Sequence, residues 1–224
     1  MSGERALVVL SGGQDSTTCL YWAIERFGNN NVASVTFDYG QRHRIELECA
    51  ARVAEQANVP NVCLPIDTFA ALGGNALTDT AIDVQQDNDT GGELPNTFVP
   101  GRNLIFLTFA AAYADPRAIW HLVTGVAQTD YSGYPDCRET TIRALQEALN
   151  LGMEAHFRIH TPLMHLSKKQ TVELARDLGA LPAMALTHTC YKGQRPPCGL
   201  CPACQLRARG FSEAGVVDPL LGLE

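Results

Sequence analysis

The chain has 224 residues, 46% hydrophobic and 18% charged, which suits one sizeable α/β domain with a small appendage and excludes a disordered or low-complexity chain. A formal net charge of −7 argues against nucleic acid or an anionic membrane as the main partner. The longest apolar stretch, 104–114, is far short of a membrane span, and the run at 6–10 is too short for a secretion signal, so a cytoplasmic protein is expected.

The apolar run at 6–10 reads as a buried strand, and 16–27 as a helix stopped by Gly28. Residues 32–37 form a second predicted strand, 42–58 a helix with apolar positions at helical spacing, and 62–66 a third strand. Residues 73–95 are rich in Gly, Asn, Asp and Thr, and no Lys or Arg occurs between Arg52 and Arg102. A solvated loop is expected there, with a lid over a site as the sharper alternative. The helix at 102–114 is apolar nearly all round, so it is buried or forms a subunit interface. A strand at 119–126, a helix at 138–150 and a short strand at 158–161 follow. Ser167 caps a helix running to Leu178, with Gly179 past its end, and a last short helix is expected at 205–214. Strands alternating with helices of this length imply an α/β fold with a doubly wound parallel sheet, whose ligands bind beyond the carboxyl ends of the strands. Residues 1–186 are assigned to that domain, and 187–224 to a C-terminal zinc-binding region packed on it.

Between the first strand and the first helix stands Ser-Gly-Gly-Gln-Asp-Ser, residues 11–16. Glycines let the backbone close on phosphate oxygens, amide hydrogens point inward, and the helix N-terminus adds favourable partial charge. Ser11 and Ser16 can donate hydroxyl hydrogen bonds, and Asp15 can hold a Mg²⁺ that bridges phosphates. The lysine of the common phosphate loop is absent, which disfavours transfer of a γ-phosphate. The stretch resembles the motif of the PP-loop ATP-pyrophosphatase superfamily, whose fold is adenine-nucleotide α-hydrolase-like. That resemblance implies ATP cleavage between the α- and β-phosphates, with the departing pyrophosphate cradled by the loop. It implies an ATP site made of Leu10, Ser11, Gly12, Gly13, Gln14, Asp15, Ser16, Thr17, Thr18, Cys19 and Leu20.

Four of the eight cysteines, Cys190, Cys198, Cys201 and Cys204, stand as Cys-x₇-Cys-x₂-Cys-x₂-Cys. Four thiolates satisfy tetrahedral Zn²⁺ and leave no open position, so the site is expected to be structural. The rival is an iron–sulfur cluster, but a ferredoxin run needs its fourth cysteine where Ala208 stands. Four thiolates on Zn²⁺ leave about two negative charges, which Lys192, Arg195, Arg207 and Arg209 are near enough in sequence to offset. Cys19, Cys49 and Cys63 are expected to be small buried hydrophobes.

The segment 125–138 runs from the fourth strand into the expected ligand crevice, carrying Asp130, Tyr131, Tyr134 and Asp136. The resemblance of DYSGYPDCR at 130–138 to the 7-cyano-7-deazaguanine synthase family implies a guanine-like base, whose adjacent N–H donors one carboxylate can accept as a pair. Asp130 or Asp136 is therefore expected to read the base edge, with Tyr131 and Tyr134 stacking on it. The alternative has Asp136 capping the helix that begins at Arg138. Arg102 is a candidate phosphate clamp, while Lys168 and Lys169 either lie on the surface or reach the ATP phosphates. Asp15, Arg102 and Asp136 are the candidate catalytic residues.

FDYGQRH at 37–43, FVPGRN at 98–103, DYSGYPDCR at 130–138, TPL at 161–163 and the cysteine array together resemble the 7-cyano-7-deazaguanine synthase family of queuosine biosynthesis. The resemblance implies an ATP-dependent carbon–nitrogen ligase. Such an enzyme converts 7-carboxy-7-deazaguanine and ammonia to 7-cyano-7-deazaguanine through adenylated intermediates. The resemblance also implies zinc and a homodimer. One alternative is a PP-loop tRNA-modifying adenylase or thiolase, against which the −7 charge counts. Another is a zinc-ribbon nucleic-acid-binding module, which needs more aromatic residues near the cysteines than Tyr191 and Phe211.

Overall fold

Side-chain alternation in the first strand sets the layers of the protein. A computed structural model describes residues 3–41, 43–78, 81–84, 94–129 and 134–222. In β1 (Ala6–Val9), Ala6 and Val8, with Leu10 just beyond, cluster with α1 (Gln14–Phe27) and α2 (Ile45–Gln56). Leu7 faces the other way, onto α4 (Arg102–Ala114) and α5 (Glu139–Gly152). Helices cover both faces of one sheet, which is why the strand is apolar on both sides.

The other strands are β2 (Val32–Asp38), β3 (Asn61–Pro65), β4 (His121–Val123) and β5 (Arg158–His160), all parallel, in the order β3-β2-β1-β4-β5. Ala6 stands in register with Val32 on one side and His121 on the other. The chain winds outward from β1 to β3 and then returns to β1's other side at β4. The carboxyl ends of β1 and β4 therefore form the switch point at which such sheets bind ligands. This is the doubly wound parallel sheet expected from the sequence.

Departures from expectation have local causes. The fourth strand pairs over three residues because the chain leaves the ladder to bring Gly125 against the 11–16 loop. A Cβ there would stand 3.1 Å from the Asp15 carbonyl carbon and the Ser16 nitrogen. The second helix begins at Ile45 because Gln41 first closes the strand end, its Oε1 accepting the Tyr39 N–H at 2.9 Å. Arg42 lies outside the described residues. Two short helices escaped the periodicity, α3 (Thr68–Leu72) and α7 (Leu181–Met184). Cys19 and Cys49 are buried as expected, but Cys63 is exposed, because β3 is an edge strand.

α6 (Lys168–Asp177) starts at a capping box: Ser167 Oγ accepts the Gln170 N–H and Gln170 Oε1 accepts the Ser167 N–H. α8 (Pro202–Glu213) starts inside the cysteine array and packs on α6 through Phe211, Val172 and Ala175. Its Arg207, only 4% exposed, donates to both Asp218 carboxylate oxygens at 2.6 and 2.8 Å and to the Thr187 hydroxyl at 2.7 Å. α4 buries Leu107, Ala110, Ala111 and Ala114 but leaves Phe109 exposed. Among the described residues no helix is long and apolar enough to cross a membrane.

Candidate active site

The loop 11–16 turns from β1 into α1 at the switch point. Gly12 has φ +81°, and a Cβ on it would lie 2.4 Å from the Glu46 backbone oxygen, so only glycine lets the loop close on the first turn of α2. The Ser16 hydroxyl donates to the Gly13 carbonyl at 3.1 Å and accepts the Ser11 N–H at 3.2 Å. The Ser11 hydroxyl lies 3.1 Å away from it. Within the expected ATP stretch, Leu10, Ser11, Gly13, Gln14, Asp15 and Ser16 line a cavity of about 300 Å³. Gly12, Thr17, Thr18, Cys19 and Leu20 are buried behind it; one turn into a helix, side chains face the core rather than the crevice.

The cation that the loop lacks comes from elsewhere. Lys168, at the start of α6, donates from Nζ to Asp15 Oδ2 at 2.7 Å, and its side chain is only 10% exposed. The sequence left Lys168 open between the surface and the ATP phosphates, and in the fold it lies against the loop carboxylate. Lys169 instead pairs with Glu173 along its own helix. The His188 backbone N–H donates to the Gly12 carbonyl at 2.9 Å, and His188 Nε2–H donates to the Cys190 carbonyl at 2.8 Å. The segment that leads into the cysteines thus holds the loop through its backbone.

The cavity continues from the loop to Tyr39, Phe106, Tyr134 and Tyr191, with Glu46 and Arg102 also in its lining. Tyr39 and Tyr134 are buried, and the Tyr134 hydroxyl lies 2.7 Å from Thr97 Oγ1. Arg102 Nη1 donates to the Tyr39 hydroxyl at 3.2 Å. Burial works against the Arg102 charge, but the phenols of Tyr39, Tyr134 and Tyr191 and the Asp136 carboxylate outweigh it and hold the guanidinium above its ordinary value. Glu46 retains some solvent contact along its side chain, yet burial of its carboxyl pushes it up to about 7, against the pull of the Arg102 charge.

The candidates from the 125–138 segment separate here. Asp130 and Tyr131 lie outside the described residues. Tyr134 lines the cavity. Asp136 is 4% exposed, and its Oδ2 accepts both the Asn103 N–H and the Asn103 amide at 3.0 Å. It caps the first turn of α4, not the helix following Arg138, and stands behind the cavity wall rather than in it. Its carboxylate oxygen is committed to holding α4, which carries Arg102, so the geometry gives Asp136 a positioning place. Of the 73–95 loop, Leu77 and Pro95 reach the cavity, while 79–80 and 85–93, with the lid expectation attached to them, lie outside the described residues.

The four expected metal ligands converge, their sulfurs all within 4.8 Å of one another. Cys198 Sγ and Cys204 Sγ are 3.9 Å apart, against an edge of about 3.8 Å for a tetrahedron with Zn–S near 2.3 Å. Backbone N–H groups of Cys198, Leu200 and Cys201 point at the Cys190 and Cys198 sulfurs at 3.5, 3.4 and 3.3 Å. A hydrogen bond from the Cys204 thiol, against the cost of burial, holds the Cys201 thiol below its ordinary value. These residues form a cysteine cluster able to bind a metal. The arginines expected to offset its charge are used differently: Arg207 pairs with Asp218, Arg195 donates to Ala185 O and Cys49 Sγ, and Arg209 sits against Glu213. Backbone dipoles take that task, because they reach the sulfurs within the turns that carry them.

A family model described as queuosine biosynthesis protein QueC matches residues 5–215. The chain belongs to the QueC family. Similar to this QueC-family chain are three relatives named 7-cyano-7-deazaguanine synthase. The one from Chromobacterium violaceum is 66% identical over 220 residues, covering 98% of this chain and 94% of the relative. The one from Laribacter hongkongensis is 65% identical over 218 residues, covering 97% and 94%. The one from Lysinibacillus sphaericus is 51% identical over 215 residues, covering 95% and 96%. The solved structure of a predicted subunit of tRNA methyltransferase from Methanocaldococcus jannaschii aligns with a TM-score of 0.50 at 16% identity, over 77% of this chain and 74% of that one. At that identity the likeness is one of fold alone.

Sequence reasoning missed Glu46 and His188 as members of the site, while the end of the second strand at 38–41, with Tyr39, was expected in the ligand crevice and lines it. Tyr39 sits inside the 37–43 motif, and Glu46 follows it by one helical turn. That proximity was the available signal. His188 offered none, since only the packing of the C-terminal segment brings it to Gly12.

Proposed function

We propose that this QueC-family chain is a 7-cyano-7-deazaguanine synthase, an ATP-dependent carbon–nitrogen ligase acting on 7-carboxy-7-deazaguanine and ammonia. The observation that supports this best is one cavity that joins a phosphate-type loop to a tyrosine-lined pocket. A planar base seated against the tyrosines can present its carboxylate to a nucleotide held by the loop.

The chemistry needs that adjacency. A carboxylate is a poor electrophile, because oxide would have to leave. Attack of a carboxylate oxygen on the α-phosphorus of ATP releases pyrophosphate and makes AMP the leaving group; ammonia then displaces AMP to give the amide. Attack of the amide oxygen on a second ATP, followed by loss of AMP, gives the nitrile. Ser11, Ser16 and the loop N–H groups hold the departing pyrophosphate, and Lys168 adds a positive charge beside Asp15. Mg²⁺ neutralises phosphate oxygens when bound, and Asp15 is the loop carboxylate that would hold it. Arg102 lies with the tyrosines and would meet the base end of the substrate. Cys190, Cys198, Cys201 and Cys204 suit Zn²⁺ by sulfur spacing, and the ion would close the segment whose His188 N–H holds the loop. Ammonia comes free from solution, the enzyme works in the cytoplasm without nucleic acid or membrane, and the outer face of α4 around Phe109 is the homodimer contact.

The test is an endpoint assay by mass spectrometry with purified protein, Mg-ATP, ammonium and 7-carboxy-7-deazaguanine. Nitrile with AMP and pyrophosphate is expected. ADP and phosphate would overturn the adenylation account, and AMP without nitrile would reopen the substrate.

A further inference from the structure

Two buried carboxylates of this fold are well supplied with donors. Asp136 takes two hydrogen bonds from Asn103, and Asp218 takes three from Arg207 and Leu220. Glu46 is the contrast. It lines the cavity from the first turn of α2, and among the described residues its carboxylate accepts no hydrogen bond and makes no contact ion pair. Arg102 acts on it only at a distance. A half-buried carboxylate on a cavity wall that no protein donor satisfies is matched by a ligand that brings N–H groups to it.

The surroundings specify that ligand. Buried faces of Tyr39 and Tyr134 line the same space, which suits a flat heterocycle. A carboxylate accepts best from two N–H groups side by side, and the Arg102 guanidinium nearby suits an oxo group next to them. The 2-amino-4-oxopyrimidine edge of a deazaguanine carries that sequence of groups: amino N–H, ring N–H, then oxygen. The backbone of Glu46 is pressed against Gly12, so the carboxylate is held in fixed relation to the phosphate loop.

We propose that Glu46 is the specificity-determining residue for the base, its carboxylate accepting the ring N–H and the exocyclic amino N–H while Arg102 faces the oxo group. This gives Glu46 the role that sequence analysis assigned to Asp130 or Asp136. It rests on the reading that the substrate is a 7-carboxy-7-deazaguanine. An analogue lacking the amino group should be rejected, because it leaves one carboxylate oxygen unpaired inside the cavity.

The experiment compares kcat/KM for 7-carboxy-7-deazaguanine and its 2-desamino analogue in the wild type, Glu46→Gln and Glu46→Asp. The wild type is expected to prefer the amino compound by about 100-fold. Glu46→Gln, which keeps the volume and removes the charge, should reduce that preference to below about tenfold. Glu46→Asp keeps the charge and withdraws it, so the preference should survive with a raised KM for the base. KM for ATP is the control. A merely structural role would disturb it through the Gly12 contact, and it is expected to stay within about twofold. An active wild type with the same preference in Glu46→Gln overturns the assignment of Glu46 alone. A wild type that forms no nitrile overturns the reading of the substrate, and the proposal with it.

Discussion

Replacing Glu46 by Gln should stabilise the protein while weakening its grip on the base. The carboxyl's ordinary value is 4.5, and in the fold it rises to about 7. The difference, about 7 minus 4.5, corresponds to about 3 kcal/mol at 1.36 kcal/mol per pH unit. Solvent contact along the side chain and the cost of burying an amide reduce this, so a gain of about 1–3 kcal/mol is expected, or a rise in Tm of about 3–10 °C for a chain of this length. The sign follows from the direction of the shift. With the folded value above the unfolded one, the carboxyl's contribution is fully present below pH 4.5 and lost as pH rises through about 7. The Gln variant does not titrate, so its advantage should open across that window and stay level above it. Neighbouring groups do not interfere. Arg102 stays charged, while burial keeps Tyr39 up at about 12 and raises Tyr191 and Cys49 above their ordinary values. Thermal melts of both proteins from about pH 5 to pH 8 provide the measurement. A variant no more stable than wild type at the upper end, or a difference that ignores pH, would show that the carboxylate is not an unpaired, desolvated charge.

Three further outcomes follow from contacts elsewhere in the site. Lys168→Met should lower kcat by about 100-fold with folding intact, read by pyrophosphate release, because it removes the cation that, among the described residues, is held against the loop carboxylate. Arg207→Met leaves Asp218 buried without its partner and should cost about 3–5 kcal/mol; a thermal melt of Arg207→Met with Asp218→Leu should recover most of that loss. Metal analysis should find one zinc per chain, and its removal by a chelator should weaken ATP binding in calorimetry, because the cysteine segment carries the His188 N–H that holds Gly12. Unchanged ATP affinity in metal-free protein would uncouple the two sites.

Legibility in the sequence tracked the range of the interaction. β1, α1 and the glycine loop were readable because alternation, helical spacing and glycine placement act over a few residues. The capping box at Ser167 was readable for the same reason. The fourth strand was overextended, since nothing nearby announces that Gly125 must leave the ladder to meet Asp15 and Ser16. Asp136 illustrates a different failure. Its residue type suited base recognition, but its Oδ2 accepts both donors of Asn103, thirty-three positions away in sequence.

Taken alone, the order of residues determined the parallel sheet, the phosphate-type loop and the four-cysteine cluster, because each is set by spacing along the chain. Tertiary structure alone decided which charges meet in the cavity. Lys168 reaches Asp15 across 153 positions, Glu46 has no donor among the described residues beside the tyrosines, and Arg207 turns from the cysteines to Asp218. A charged side chain on a helix is compatible with solvent, an ion pair or a ligand. Only the packing of other elements around it removes the water and leaves one of these.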